Sequence, residues 1–126
     1  MRVVLDTTVL VAAARSRQGA SHALLSLLPS PAYEPVISVP LFLERSAAQI
    51  EGFLDFLLSA SHLQEIFFLW RPALSDPDDD LILELAVAAE CRYIVSHNLR
   101  DFRGIDRWGI TAISPADLLN LIKTTP

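Results

Sequence analysis

Short apolar runs that alternate with helical patterns constrain this chain more than any other feature. Residues 2–6 place Val3, Val4 and Leu5 in unbroken succession and end on an acid, Asp6. Three consecutive apolar positions leave no polar face, so this run predicts a strand covered on both sides. Residues 7–14 turn alanine-rich and helical, and residues 21–28 form a second helical pattern stopped by Pro29 and Pro31. Residues 35–39 predict a second strand, and Pro40 suits the first turn of the helix after it, which carries Glu44. A further helix is expected over 49–59 on the spacing of Ile50, Phe53, Leu54, Leu57 and Leu58, followed by an extended apolar piece at 66–70.

Asp76, Asp78, Asp79 and Asp80 then lead into a helix over 81–90, where negative charge complements the positive end of the helix dipole. Residues 92–96 and 110–113 predict the remaining strands. Ser114, Pro115 and Asp117 supply the N-cap, first-turn proline and capping box of a final helix. Strands separated by helices imply a parallel sheet with helices on both faces, a three-layer α/β/α domain. At 126 residues, with no Gly/Ser linker, the expectation is a single domain over 1–126.

Composition narrows the function classes. A chain that is 52% hydrophobic and 20% charged is not disordered. No apolar run reaches the roughly 18 residues of a membrane span, so no membrane partner is expected. The single cysteine, Cys91, has no internal partner, and Asp6 interrupts the N-terminus too early for a secretory leader; a cytoplasmic location follows as the expectation. A net charge of −5 excludes the basic stripe of a DNA-binding module. It leaves open an enzyme that meets nucleic acid through bound cations, which invert the local charge. Arg92, Arg100, Arg103 and Arg107 gather in sequence around His97, either as a local positive rim or as solvated surface arginines.

Ligands of open parallel sheets bind beyond the carboxyl ends of the strands. Asp6 ends the first strand, and Ser96, His97, Asn98 and Asp101 follow the strand over 92–96. Glu44 and Asp79 belong to helices that reach the same rim if they run back across the sheet. Carboxylates gathered this way repel one another, and a hard divalent cation is the usual reason to assemble them. The chain lacks the Cys and His clusters that favour zinc. Each residue also has a plainer reading. Asp6 is well placed to cap the next helix, Glu44 to face solvent, the 76–80 acids to serve a helix dipole, and Asp101 to cap a turn. His97 has the look of a general base, but a lone loop histidine is more often structural.

Taken in order, these segments resemble the PIN-domain family. Val3-Val4-Leu5-Asp6-Thr7-Thr8 is similar to its opening strand and Asp-Thr-Asn; Ser38-Val39-Pro40-Leu41-Phe42-Leu43-Glu44 is similar to the helix with its second acid. Asp76-Pro77-Asp78-Asp79-Asp80-Leu81-Ile82 through Ala86 resembles the start of the helix with the third acid. Tyr93-Ile94-Val95-Ser96-His97-Asn98-Leu99-Arg100-Asp101-Phe102 resembles the final strand and acidic loop. The subgroup most similar is the toxin component of toxin–antitoxin pairs (VapC-like). Family spacing selects Asp79 among the adjacent acids, through Ile82 and Ala86, with Asp80 as the alternative. The chain departs from the pattern at Thr8, which keeps a hydroxyl but lacks the usual amide, at Asn98, where many relatives carry Asp, and in a shorter stretch at 45–49.

The resemblance implies an RNA-cleaving enzyme that uses Mg²⁺ or Mn²⁺. Asp6, Glu44, Asp79 and Asp101 would be catalytic metal ligands, with Thr8, Ser96, Asn98 and Asp80 supporting. It also implies an antitoxin protein and a second copy of the chain as partners. Two rivals differ in class. A degenerate PIN fold would act as a protein- or RNA-binding module. A haloacid-dehalogenase-like phosphatase would use Asp6 as a nucleophile, but it needs an Asp where Thr8 stands and a central lysine, and Lys123 is the one lysine in the chain.

Overall fold

The computed structural model describes residues 1–38, 61–64 and 77–124. Among them, five strands form one parallel sheet: β1 (Arg2–Leu5), β2 (Glu34–Ser38), β3 (His62–Gln64), β4 (Tyr93–Val95) and β5 (Thr111–Ile113), in the order β3-β2-β1-β4-β5. The expected helix that carries Glu44, the one over 49–59 and the apolar piece at 66–70 lie outside the described residues. β3 is the strand that sequence patterning did not predict, because three residues flanked by polar neighbours carry no periodicity.

β1 sits at the centre, and its side chains alternate between two apolar layers. Val3 and Leu5 pack with Val9 and Ala13 of helix α1 (Thr7–Arg15), Leu24 and Leu25 of α2 (Ala20–Ser26), and Leu118 of α4 (Pro115–Thr124). Val4 points the other way, with Val36 and Ile94, against Ile82, Leu83, Leu85 and Ala86 of α3 (Pro77–Ala88). Helices therefore cover both faces, and the three-layer expectation holds. Complete burial of Val3 and Val4 explains why β1 reads as an unbroken apolar run rather than an alternating one.

Helix α3 begins earlier than its apolar pattern, at Pro77, so Asp78, Asp79 and Asp80 occupy its first turn. Proline fits that first position because its missing N–H has no intrahelical partner to lose. The helix ends in a Schellman turn: Glu90 has φ 57°, its N–H bonds to the Val87 carbonyl at 3.1 Å, and the Cys91 N–H bonds to that of Ala86 at 2.8 Å. This turn feeds directly into the start of β4. The twelve residues of α3 span about 18 Å, so its acidic N-terminus lies at the opposite edge of the sheet, beyond the carboxyl ends of the strands. Ser114 caps α4 as expected, accepting the Asp117 N–H at 3.1 Å.

The core also holds two acidic protons out of water. Burial pushes the Tyr33 phenol well above its ordinary range, and its hydroxyl donates to the Leu24 carbonyl at 2.7 Å. Burial likewise raises the Cys91 thiol to about 12, opposed by the charge of Arg2 and assisted by that of Glu34. Both groups ionise more readily in the unfolded chain, so the stability tied to their neutral forms is intact below about pH 9 and declines as the pH rises beyond it. Urea denaturation midpoints measured from pH 8 to 11 should fall over that window. Leu83→Ala removes a fully buried side chain between α3 and the sheet. It should cost about 2–5 kcal/mol in the same assay.

Candidate active site

The strand order reverses beside β1. The chain runs outward through β2 and β3, then returns to place β4 on the other side of β1. A crevice opens at such a switch point, beyond the carboxyl ends of the two strands that flank it. Asp6 follows β1 there, and Ser96 follows β4.

Backbone bonds fix Asp6 from both sides. Its N–H donates to the Val95 carbonyl of β4 at 2.9 Å, and its own carbonyl accepts the Val9 N–H at 3.0 Å as α1 begins. Asp6 thus occupies the capping position that its sequence neighbourhood suggested, yet its carboxylate also reaches across the switch point. Oδ2 accepts the Ser96 hydroxyl at 2.7 Å and the Thr8 hydroxyl at 3.1 Å. The side chain is only 8% exposed, so these donors and the positive end of α1 replace lost hydration. Thr8, standing where the sequence lacks the usual amide, bonds the Asp6 carboxylate through its hydroxyl.

The hydroxyls continue into the loop after β4. Ser96 is fully buried and accepts the Asn98 N–H at 2.9 Å, while Thr8 accepts the His97 N–H at 3.2 Å. Asp6, Thr8, Ser96 and Asn98 are thereby tied into one polar network. Asp101 stands one 3₁₀ turn further on, within Leu99–Phe102, exposed beside Asn98 and Arg100 along an open groove of about 610 Å³. Asp79 and Asp80 are half-buried in the first turn of α3, on the same edge of the sheet. Glu44 and Asp76 lie outside the described residues. Among the described residues, no three His, Cys, Asp or Glu side chains gather closely enough to hold a metal ion.

Sequence order misleads for the arginines. Arg92 precedes β4, and its carbonyl accepts the Thr111 N–H at the start of β5. Arg107 stacks on Trp108, 4.1 Å from the ring centroid, just before β5 begins. Both lie toward the amino edge of the sheet, opposite Asp6; Arg100 is the arginine that borders the groove.

Two buried polar residues escaped sequence reasoning. Ser21 of α2 is 3% exposed, with its Oγ 2.9 Å from His97 Nε2. Glu84 of α3 is 4% exposed and follows Asp80 by one turn. An acid within the otherwise apolar stretch 81–89 was the available signal for Glu84. Ser21 gave none, since its partner is 76 residues away.

The donor set at Asp6 consists of hard oxygens: its own carboxylate and the Thr8 and Ser96 hydroxyls. Cys91 is buried at the opposite end of β4. This chemistry fits Mg²⁺ or Mn²⁺ and not a thiolate-seeking ion. Ser96→Ala would deprive Asp6 of its 2.7 Å hydroxyl donor and the Asn98 N–H of its acceptor. It should lower stability by about 1–3 kcal/mol in urea denaturation, the cost of leaving a buried polar group unsatisfied.

Comparison with known proteins agrees with this architecture. A family model described as PIN domain matches residues 2–100. A PilT N-terminus domain protein from the hyperthermophilic archaeon Sulfolobus solfataricus P2 superposes with a TM-score of 0.62 at 16% identity, covering 100% of this chain and 97% of the other. The structure of VapBC2 from Rickettsia felis, bound to a DNA fragment from their promoter, gives a TM-score of 0.61 at 18% identity, covering 90% of this chain and 98% of that one. At these identities the likeness is one of fold. No curated protein sequence matches the chain.

Proposed function

The chain belongs to the PIN-domain family, and from that membership we propose that it is a Mg²⁺- or Mn²⁺-dependent endoribonuclease, the toxin member of a toxin–antitoxin pair. One observation carries the reading: a buried carboxylate, Asp6, is held across the β1/β4 switch point by Ser96 at 2.7 Å. A structural acid at that place needs only to cap α1. This one is also oriented by hydroxyls from two different segments, at the edge where open sheets of this kind bind ligands.

In this reading Asp6 is the central metal ligand, Asp79 its partner from the first turn of α3, and Glu44 and Asp101 complete the set. Asp80 stands beside Asp79 as the alternative. A bound cation supplies positive charge to the phosphate as negative charge develops, and acidifies a water for attack. Ser96 and Thr8 fix the Asp6 carboxylate so that it need not reorganise during the reaction. Asn98, anchored through its N–H to Ser96, presents a neutral amide to a phosphate oxygen. Arg100 holds the RNA backbone, which implies weak sequence preference and strong salt dependence.

Thr8 also weighs against the phosphatase alternative. It occupies the position where that chemistry needs a second carboxylate, and its hydroxyl is engaged with Asp6. Antitoxin and homodimer partners rest on family resemblance, with the VapBC2 assembly as a structural relative. The cytoplasmic location, RNA as substrate and a single domain over 1–126 belong to the same proposal.

The test is cleavage of single-stranded RNA in Mn²⁺. Wild-type protein should cleave and EDTA should stop it. Asp6→Asn, which preserves shape but removes the charge, should lose at least about a hundredfold in rate, the order seen when a charge-stabilising group is lost. Asp79→Asn should be comparably impaired. Unchanged cleavage by Asp6→Asn overturns the assignment.

A further inference from the structure

The loop after β4 carries a feature that the proposed metal chemistry does not use. His97 is exposed, yet it is held at two points by two different helices. Its N–H donates to Thr8 Oγ1 of α1 at 3.2 Å, and its ring nitrogen Nε2 lies 2.9 Å from Ser21 Oγ of α2. A solvated histidine has no need of a buried serine, and fixing its ring costs rotamer entropy. Because Thr8 also binds Asp6, the His97 backbone is tied to the same hydroxyl that bonds the candidate catalytic carboxylate.

The hydrogen bond also engages one ring nitrogen, Nε2, and leaves Nδ1 as the other. Ser21 is 3% exposed, and its hydroxyl hydrogen needs an acceptor. Among the described residues His97 Nε2 is the one available to it. When Ser21 donates, Nε2 accepts and the proton of the neutral ring resides on Nδ1. The ring borders the groove formed with Asn98, Leu99, Arg100 and Asp101. Nδ1 thus belongs to a ring held at Nε2, in a residue that lines the groove together with Asn98, Arg100 and Asp101. A donor of this kind suits an oxygen of a phosphodiester, with Arg100 balancing the charge of Asp101.

We propose that His97 binds a backbone phosphate of single-stranded RNA through Nδ1–H, and that Ser21 is the positioning residue that fixes its tautomer and orientation. This rests on the nuclease reading above for the identity of the substrate, but the contact itself requires no cleavage.

Binding of a fluorescein-labelled twelve-residue oligouridylate to the full chain, followed by fluorescence anisotropy in EDTA, separates the two. His97→Ala should weaken binding roughly tenfold, the order expected for a hydrogen bond to a charged group. His97→Asn, whose amide N–H lies near the position of Nδ1–H, should retain affinity within about twofold. Ser21→Ala should weaken binding severalfold in the wild-type background. It should have no further effect when added to His97→Asn, an insensitivity that a merely structural serine would not produce. Thermal unfolding of each variant verifies the fold. Binding by His97→Ala equal to wild type, or no binding by wild-type protein, overturns the proposal. A Ser21→Ala loss that persists in the His97→Asn background overturns the role given to Ser21. Failure of the nuclease reading shows separately, as absence of Mn²⁺-dependent cleavage by a wild-type protein that still binds RNA through His97.

Discussion

A carboxylate at the end of a fully buried strand has to be compensated, and much of the local structure around Asp6 does so. Removing a charge from water costs several kcal/mol unless neighbouring dipoles replace the lost hydration. Here replacement comes from the start of α1 and from the hydroxyls of Thr8 and Ser96. Ser96 follows a different strand, so the compensation requires β1 and β4 to be neighbours in the observed register, with Leu5 opposite Val95. The same pairing creates the switch point. Chemistry and topology are coupled through one short hydrogen bond.

The covering layers follow from the alternation along β1. Val3 and Leu5 commit one face to α1, α2 and α4, and Val4 commits the other to α3. Packing α3 on the sheet, with its Schellman turn leading into β4, carries its acidic first turn to the edge where Asp6 lies. On the opposite face, α2 lies close enough to the β4 loop for Ser21 to reach His97. The loop after β4 is consequently gripped by two of the three helices on that face, α1 through Thr8 and α2 through Ser21.

The sequence made some of this legible and hid the rest for physical reasons. Strands β1, β4 and β5 announced themselves because apolar runs in a doubly covered sheet cannot be anything polar-faced, and Asp6 stood out by ending the first of them. Apolar periodicity puts the acids at 78–80 ahead of the helix, whereas they lie inside its first turn, because that periodicity begins only where the helix meets the core. β3 was missed, since His62-Leu63-Gln64 has no pattern to detect. The arginine cluster dissolved because a parallel crossover carries the chain from one sheet edge to the other between Arg100 and Arg107. Thr8 departs from the usual amide in sequence, but its hydroxyl still donates to Asp6. Ser21 and His97 meet only through tertiary packing, and no local pattern encodes that.

The central claim is that Asp6 anchors a divalent cation at the β1/β4 switch point. Anomalous diffraction from a crystal soaked in Mn²⁺ tests it most directly. A peak should appear at coordination distance from the Asp6 carboxylate, toward the first turn of α3, and be absent from crystals of Asp6→Asn. A Mn²⁺-soaked crystal with no peak beside Asp6, or with the same peak in the Asp6→Asn protein, would contradict it.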